Sequence, residues 1–177
     1  MSDQLSLMGF DAPARPTDRL FFAIFPDAQT ADRIARLAMA LRGEHGLQGQ
    51  PLKTERFHIT LHHLGDHAGV PRDIVASASQ AAEALRQAPF DLCFDQAMSF
   101  SGKPGKRPFV LRGGDGLTGL IAFQQALGAA MTKVGLGRWV DQRFTPHVTL
   151  LYDAHGVAEQ AVEPITWTAS RFVLVHS

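Results

Sequence analysis

The sequence is short of several things, and each shortage narrows what the chain can be. It holds one cysteine in 177 residues, so no intrachain disulfide can form. That residue, Cys93, lies in Phe90-Asp91-Leu92-Cys93-Phe94, a context that predicts a buried strand thiol rather than a reactive one. Neither sign of charge is in excess, since 17 Lys and Arg balance 17 Asp and Glu. No global field therefore draws in nucleic acid, and any contact with it is expected to be local and short. No apolar run is long enough to span a membrane, and Met1 to Asp18 lacks the basic-then-apolar pattern of a secretory leader. A cytoplasmic location away from membranes is the expectation. Pro13, Pro16 and short polar residues predict a mobile N-terminal arm over residues 1–18.

What is present is globular material. The hydrophobic fraction of 45% and the charged fraction of 19% suit one substantial core, or two small lobes sharing one, over residues 19–177. Leu20 to Phe25 is a continuous apolar run closed by Pro26 and reads as a buried strand. Asp27 can cap a following helix, with Ala31, Ile34, Ala35, Leu37, Ala38 and Leu41 at helical spacing until Gly43 and Gly46 break it. Phe57 to Leu64 reads as a strand, and a second helix from Pro71 carries Ile74, Val75, Ala78, Ala82 and Leu85. Phe90 to Phe94 is a strand, and Ser99 to Pro108 is a loop by composition.

The opening pattern then returns. Phe109-Val110-Leu111 is a strand and Gly113-Gly114-Asp115-Gly116 a turn. A helix is predicted over about Leu117 to Val134, with Leu120, Ile121, Leu127, Met131 and Val134 on its apolar stripe, ended by Gly135. Phe144 to Tyr152, Ile165 to Ala169 and Arg171 to Val175 are strands. Phe22 precedes His58 by 36 positions and Val110 precedes His147 by 37. Two halves, roughly 19–95 and 106–177, thus share a strand–helix–strand order, as after an ancient duplication. The mix of elements predicts an α+β fold, with helices packed outside antiparallel or mixed sheets.

The second strand of each half carries the chemistry. His58-Ile59-Thr60-Leu61 recurs as His147-Val148-Thr149-Leu150. Residues two apart on a strand share a face, so His58 and Thr60 project together, as do His147 and Thr149. The aliphatic residues between them anchor the core. Only about 0.01 such four-residue matches are expected by chance in a chain of this composition, so two in corresponding places are specific. Histidine titrates near neutrality, which lets one imidazole accept a proton while the other donates one. Threonine hydroxyls can hold the non-bridging oxygens of a phosphate as charge builds on them. The pattern suits metal-independent phosphodiester hydrolysis, and the alternative is a pair of ordinary strand histidines in structural hydrogen bonds.

Arg19 to Pro26, Phe57 to Asp66, Arg143 to Tyr152, Ile165 to Trp167 and Phe172 to Val175 together resemble the two-histidine phosphoesterase superfamily. Within it they are most similar to the bacterial RNA 2′,3′-cyclic phosphodiesterases, long labelled 2′-5′ RNA ligases. The resemblance spans Thr17 to the C-terminus. It implies one two-lobed domain with both motifs in a central cleft. It also implies opening of RNA 2′,3′-cyclic phosphate ends to 2′-phosphomonoesters, and ATP-independent joining of 2′-5′ linkages. His58 and His147 would be the acid–base pair, with His58 the preferred acid, and Thr60 and Thr149 the phosphate-binding residues. Partners would be RNA 3′ ends bearing the cyclic phosphate, tRNA fragments and small nucleotides among them, met by a monomer without cofactor or metal. The family's first motif usually continues with an aromatic that can stack on a base; here His63 holds that place. A further C-terminal segment with a tyrosine, common in the family, has no counterpart before Ser177. The resemblance implies the same phosphate site whether the chain is shorter or that edge is built differently.

Other residues have two readings each. Arg143 either reaches the same phosphate as a charged donor or faces solvent at a strand start. Lys103, Lys106 and Arg107 form a basic loop better read as solubilising than as an RNA grip. His62, His63, His67 and His155 read as surface or stacking histidines; the spacing of His58 and His62 would align metal ligands on a helix but not on a strand. Two competing functions remain in view: an RNA-end or nucleotide binding module with vestigial chemistry, and a phosphodiesterase for ADP-ribose cyclic phosphate or 2′-5′ oligonucleotides.

Overall fold

The computed structural model describes residues 14–177. Of the arm expected over 1–18, residues 1–13 lie outside the described residues, while Thr17 donates its backbone N–H to His67 O at 2.9 Å. Strand β1 (Asp18–Ile24) begins one residue later. Leu20 to Ile24 are all buried, as the unbroken apolar run requires.

Helix α1 (Ala28–His45) starts where Asp27 accepts from Thr30 N at 2.8 Å and Thr30 Oγ1 at 2.9 Å. This cap satisfies one of the orphan donors of the first turn. Gly43 does not break the helix. The end falls at Gly46, whose φ of 63° is the left-handed cap conformation that favours glycine. Strand β2 (Ile59–His67), helix α2 (Arg72–Ala84) and strand β3 (Phe90–Ser99) follow. β3 runs further than its apolar start suggested, because Gln96 to Ser99 pair with strand β4 (Arg107–Arg112).

Helix α3 (Thr118–Lys133) buries Leu120, Phe123, Gln124, Leu127, Gly128 and Met131, while Ile121, expected on the stripe, is 39% exposed. The buried arc passes through position 124 instead, because Gln124 is held by internal hydrogen bonds. Strands β5 (Val148–Asp153), β6 (Gln160–Ala169) and β7 (Val173–His176) complete the described chain. β5 is shorter than the expected Phe144 to Tyr152. Pro146 has no N–H to give a ladder, and pairing with β4 starts only at Val148.

All pairings are antiparallel and form two sheets, ordered β2-β1-β7 and β5-β4-β3-β6. The fold is α+β and two-lobed. The sheets do not follow the sequence halves 19–95 and 106–177: β3 lies in the second sheet and β7 pairs with β1 in the first. The helices cross over too, α1 lying against β5 and β6, and α3 against β2 as well as β3. Neither half therefore closes its own core. Phe22, Phe57, Phe94, Phe109 and the aliphatic residues of all three helices join one continuous cluster.

Two polar ties lock the motif strands. Asp153, at the end of β5, accepts from the backbone N–H groups of Gln48 and Gly49 at 2.7 Å each and of His155 at 2.8 Å. Those bonds hold its carboxyl below the usual range. A Cβ on Gly49 would stand 1.9 Å from Tyr152 O, so this close backbone approach needs glycine. On the other motif strand, His62 is only 1% exposed, which corrects the expectation of a surface or stacking side chain. Its Nδ1 accepts from Asp141 N–H at 3.0 Å, and its Nε2 donates to Gln124 O at 2.9 Å. Gln124 Nε2 donates in turn to Asp141 O at 2.9 Å and to Leu61 O at 3.3 Å. A buried polar cluster thereby joins β2, α3 and the segment leading to His147.

Candidate active site

Each motif histidine sits one residue before its strand, and each is positioned by the same local device. His58 Nδ1 lies 2.7 Å from Arg56 O, and His147 Nδ1 lies 2.7 Å from Thr145 O. A carbonyl oxygen can only accept, so Nδ1 carries hydrogen in both rings and Nε2 is the nitrogen left to exchange protons. Among the described residues neither Nε2 has a hydrogen-bond partner, and no hydrogen bond occupies the Thr60 or Thr149 hydroxyl.

The strand registers place these side chains on equivalent faces. Thr60 is opposite Ala23, and Thr149 is opposite Val110. Around His58 stand Phe21 and Phe25, with ring centroids 5.2 and 5.6 Å away. Around His147 stands Phe100, edge-on at 4.9 Å. These aromatic walls desolvate both imidazoles. Burial is accordingly the main cause that lowers His58 from its ordinary pKa; its bond to Arg56 O opposes the shift and the Arg56 charge adds to it. His147 is also lowered chiefly by burial, against its bond to Thr145 O, and then by the charges of His58 and Arg112. His147 feels the charge of His58, so the two histidines stand close enough for the protonation of one to bear on the other. A chain with no net charge thus sets two cationic side chains, Arg56 and Arg112, beside its two motif histidines.

The remaining sequence candidates fall at varying distances from this centre. His63 is exposed, pairs with Phe21 across the sheet and lies 3.3 Å from Asp66 Oδ1. Opposed residues share a face, so His63 adjoins the aromatic wall of His58. Arg143 is exposed, and its backbone N–H is held by Asp141 Oδ1 at 2.9 Å; its guanidinium has no hydrogen-bond partner among the described residues. Lys103 and Lys106 close the exposed turn between β3 and β4. His67 bonds Leu64 O at 2.7 Å, and His155 is exposed beside Asp153. Cys93 is half-buried rather than buried, with the turn at Gly113 and Gly116 packed against its carbonyl and Cβ. Among the described residues there is no group of three or more His, Cys, Asp and Glu side chains placed to hold a metal ion. No helix there is long and apolar enough to cross a membrane.

Sequence reasoning missed Phe21, Phe25, Phe100 and Arg112. Their apolar or charged character was visible, but only strand pairing brings them to the histidines.

Two antiparallel sheets, each presenting a His-x-Thr strand, define an α+β fold of the two-lobed phosphoesterase class. The chain belongs to the 2′-5′ RNA ligase superfamily, whose family model matches residues 25–177. A crystal structure of Escherichia coli LigT in its apo form is similar, with TM-score 0.64 and 26% identity over 90% of this chain and 87% of that one. LigT complexed with 3′-AMP gives TM-score 0.63 and 27% identity over the same shares, 90% and 87%. A crystal structure described as a phosphoesterase gives TM-score 0.64 and 25% identity over 89% of this chain and 86% of that one. No curated protein matches the sequence.

Proposed function

We propose that this member of the superfamily hydrolyses RNA 2′,3′-cyclic phosphate ends to 2′-phosphomonoesters, with His58 and His147 as its acid–base pair. The observation that carries the reading is the matched Nδ1–carbonyl bond on each histidine, which leaves two Nε2 atoms as proton carriers beside two unoccupied threonine hydroxyls. Similarity to LigT, of which one crystal structure holds 3′-AMP, supports a ribose phosphate as the substrate class.

The steps balance without further reactants. One Nε2 accepts a proton from water as its oxygen attacks phosphorus. The P–O3′ bond breaks, and the other Nε2–H protonates the departing O3′. Thr60 and Thr149 donate to the non-bridging oxygens as their charge rises. His147 suits the base, because burial and then the charges of His58 and Arg112 favour the unprotonated ring that a base needs. His58 is then the acid, and the bound phosphate's own negative charge favours its imidazolium form. With a 5′-hydroxyl in place of water as the nucleophile, the same groups in the same roles would join it to the cyclic phosphate as the P–O3′ bond breaks, which is ATP-independent 2′-5′ ligation.

The test is conversion of an RNA oligomer with a 2′,3′-cyclic end to its 2′-phosphate in excess chelator, beside ADP-ribose cyclic phosphate and a 2′-5′ oligonucleotide. Turnover of the cyclic RNA end fastest of the three is the expected result. Full activity in His58→Ala or His147→Ala would sink the mechanism, and tight binding without turnover would favour a binding module.

A further inference from the structure

The two motif strands are equivalent, yet their neighbours across the sheet are not. In the first sheet the pairs Ala23–Thr60 and Ile24–Ile59 bring Phe25 opposite His58, and their rings are 5.6 Å apart. In the second sheet the pairs Val110–Thr149 and Leu111–Val148 bring Arg112, by the same step, opposite His147. Cross-strand neighbours share a face, so Arg112 stands on the side of His147 and Thr149. Its guanidinium carbon lies 5.8 Å over the Phe100 ring, and that ring meets His147 edge-on at 4.9 Å.

Arg112 is poorly satisfied where it stands. Nη1 reaches only Met98 Sδ, a weak acceptor, at 3.5 Å. Nε is shielded from solvent without a hydrogen-bond partner. No carboxylate among the described residues forms an ion pair with it. A half-buried cation without an anion bears a desolvation cost that the Phe100 ring and Met98 Sδ offset only in part. A phosphate would offset it, because the planar guanidinium fork matches phosphate oxygens.

We propose that Arg112 is a phosphate-binding residue of the site, donating from its guanidinium to a non-bridging oxygen beside His147. The inference rests on the reading that this site takes a phosphodiester. It makes the site asymmetric: the second lobe draws the phosphate charge, and the first lobe offers the Phe25 ring to the nucleoside. Phe25 is 40% exposed and open to such a contact.

Inorganic phosphate is the probe, titrated onto the whole chain and followed by the imidazole NMR signals of His147. Arg112→Ala is expected to weaken phosphate binding roughly ten- to hundredfold and to raise KM for 2′,3′-cyclic AMP in step. Arg112→Lys regains part of the affinity as a point charge. Arg112→Met, which keeps the packing on Phe100, should resemble Arg112→Ala and shows that charge rather than shape is lost. Removing the cation should also raise the pKa of His147 in the free protein, which a purely structural arginine beyond its reach would not do. Wild-type phosphate affinity in Arg112→Met, or no phosphate binding by the wild type, overturns the inference. If the wild type hydrolyses no cyclic nucleotide yet loses phosphate on Arg112→Met, the proposed reaction falls and Arg112 stands. Hydrolysis with unchanged phosphate affinity in the variant overturns Arg112 alone.

Discussion

The first and second motif strands repeat one local design in different surroundings. Both histidines precede their strands, both give Nδ1–H to the carbonyl two residues back at 2.7 Å, and both threonines follow by two positions. Around that shared unit, the first strand has Phe25 where the second has Arg112. The first is tied in by His62 and Gln124, the second by Asp153 and the Gln48–Gly49 loop. What the proposed proton transfer needs is duplicated. What orients a substrate and anchors the strands has diverged.

The severest way to break the comparison is to remove its shared part. His58→Ala and His147→Ala should each lower kcat by about 10²- to 10⁴-fold, the usual worth of a positioned acid or base. A double variant should lose little more than either single, since the pair acts as a unit. Steady-state rates on a cyclic nucleotide decide this, and additive losses would separate the two histidines.

Next in size are the unequal anchors. His62→Ala removes a ring that is 1% exposed and leaves the Asp141 N–H and Gln124 C=O without it. A loss of about 3 kcal/mol in urea unfolding is expected. The same histidine makes stability depend on pH. Burial lowers His62, His58 and His147 in the folded chain below the ordinary 6.5, so the unfolded chain binds protons first. Their contribution is present above about pH 6.5 and declines as pH falls toward the folded values. Unfolding midpoints in urea at a series of pH values should therefore drop on the acid side, and less steeply in His62→Gln. A flat profile in the wild type would contradict it.

The threonines sharpen the comparison at a smaller scale. Thr60→Val and Thr149→Val keep the strand shape and remove a hydroxyl without an internal partner. Each should reduce kcat/KM by roughly tenfold, in keeping with one lost hydrogen bond to charged oxygen. If Arg112 carries the phosphate on the second lobe, Thr149→Val should be the milder of the two. The smallest effect is expected at His63. His63→Phe should lower KM for a cyclic nucleotide by about twofold through better stacking, with kcat unchanged. A fall in kcat there would place His63 nearer the chemistry than its exposed position implies.

Much of this was legible without coordinates, for local reasons. Asp27 and the apolar spacing after it foretold α1, and the alternation within each motif foretold which side chains face the core. The errors share a cause as well. Composition does not say which glycine takes positive φ, so Gly43 and Gly46 look alike as breakers in the sequence, and only Gly46 takes that conformation. His62 looks like a surface group in the sequence because nothing near it in the chain reveals Gln124 or Asp141. Arg112 went unnoticed because its significance lies across a strand pair.

The sequence by itself determined the repeated motif with its histidine and threonine, the α+β class and the residue types on which the proposed acid–base chemistry rests, since these depend on residue type and spacings of two to four. Only the tertiary structure decided that β3 and β7 exchange sheets, that α1 covers the opposite lobe, and that Phe25 and Arg112 occupy matching places beside the two histidines. Pairing partners are chosen by burial summed over the whole core, and a one-residue change of register would turn each strand's polar face inward.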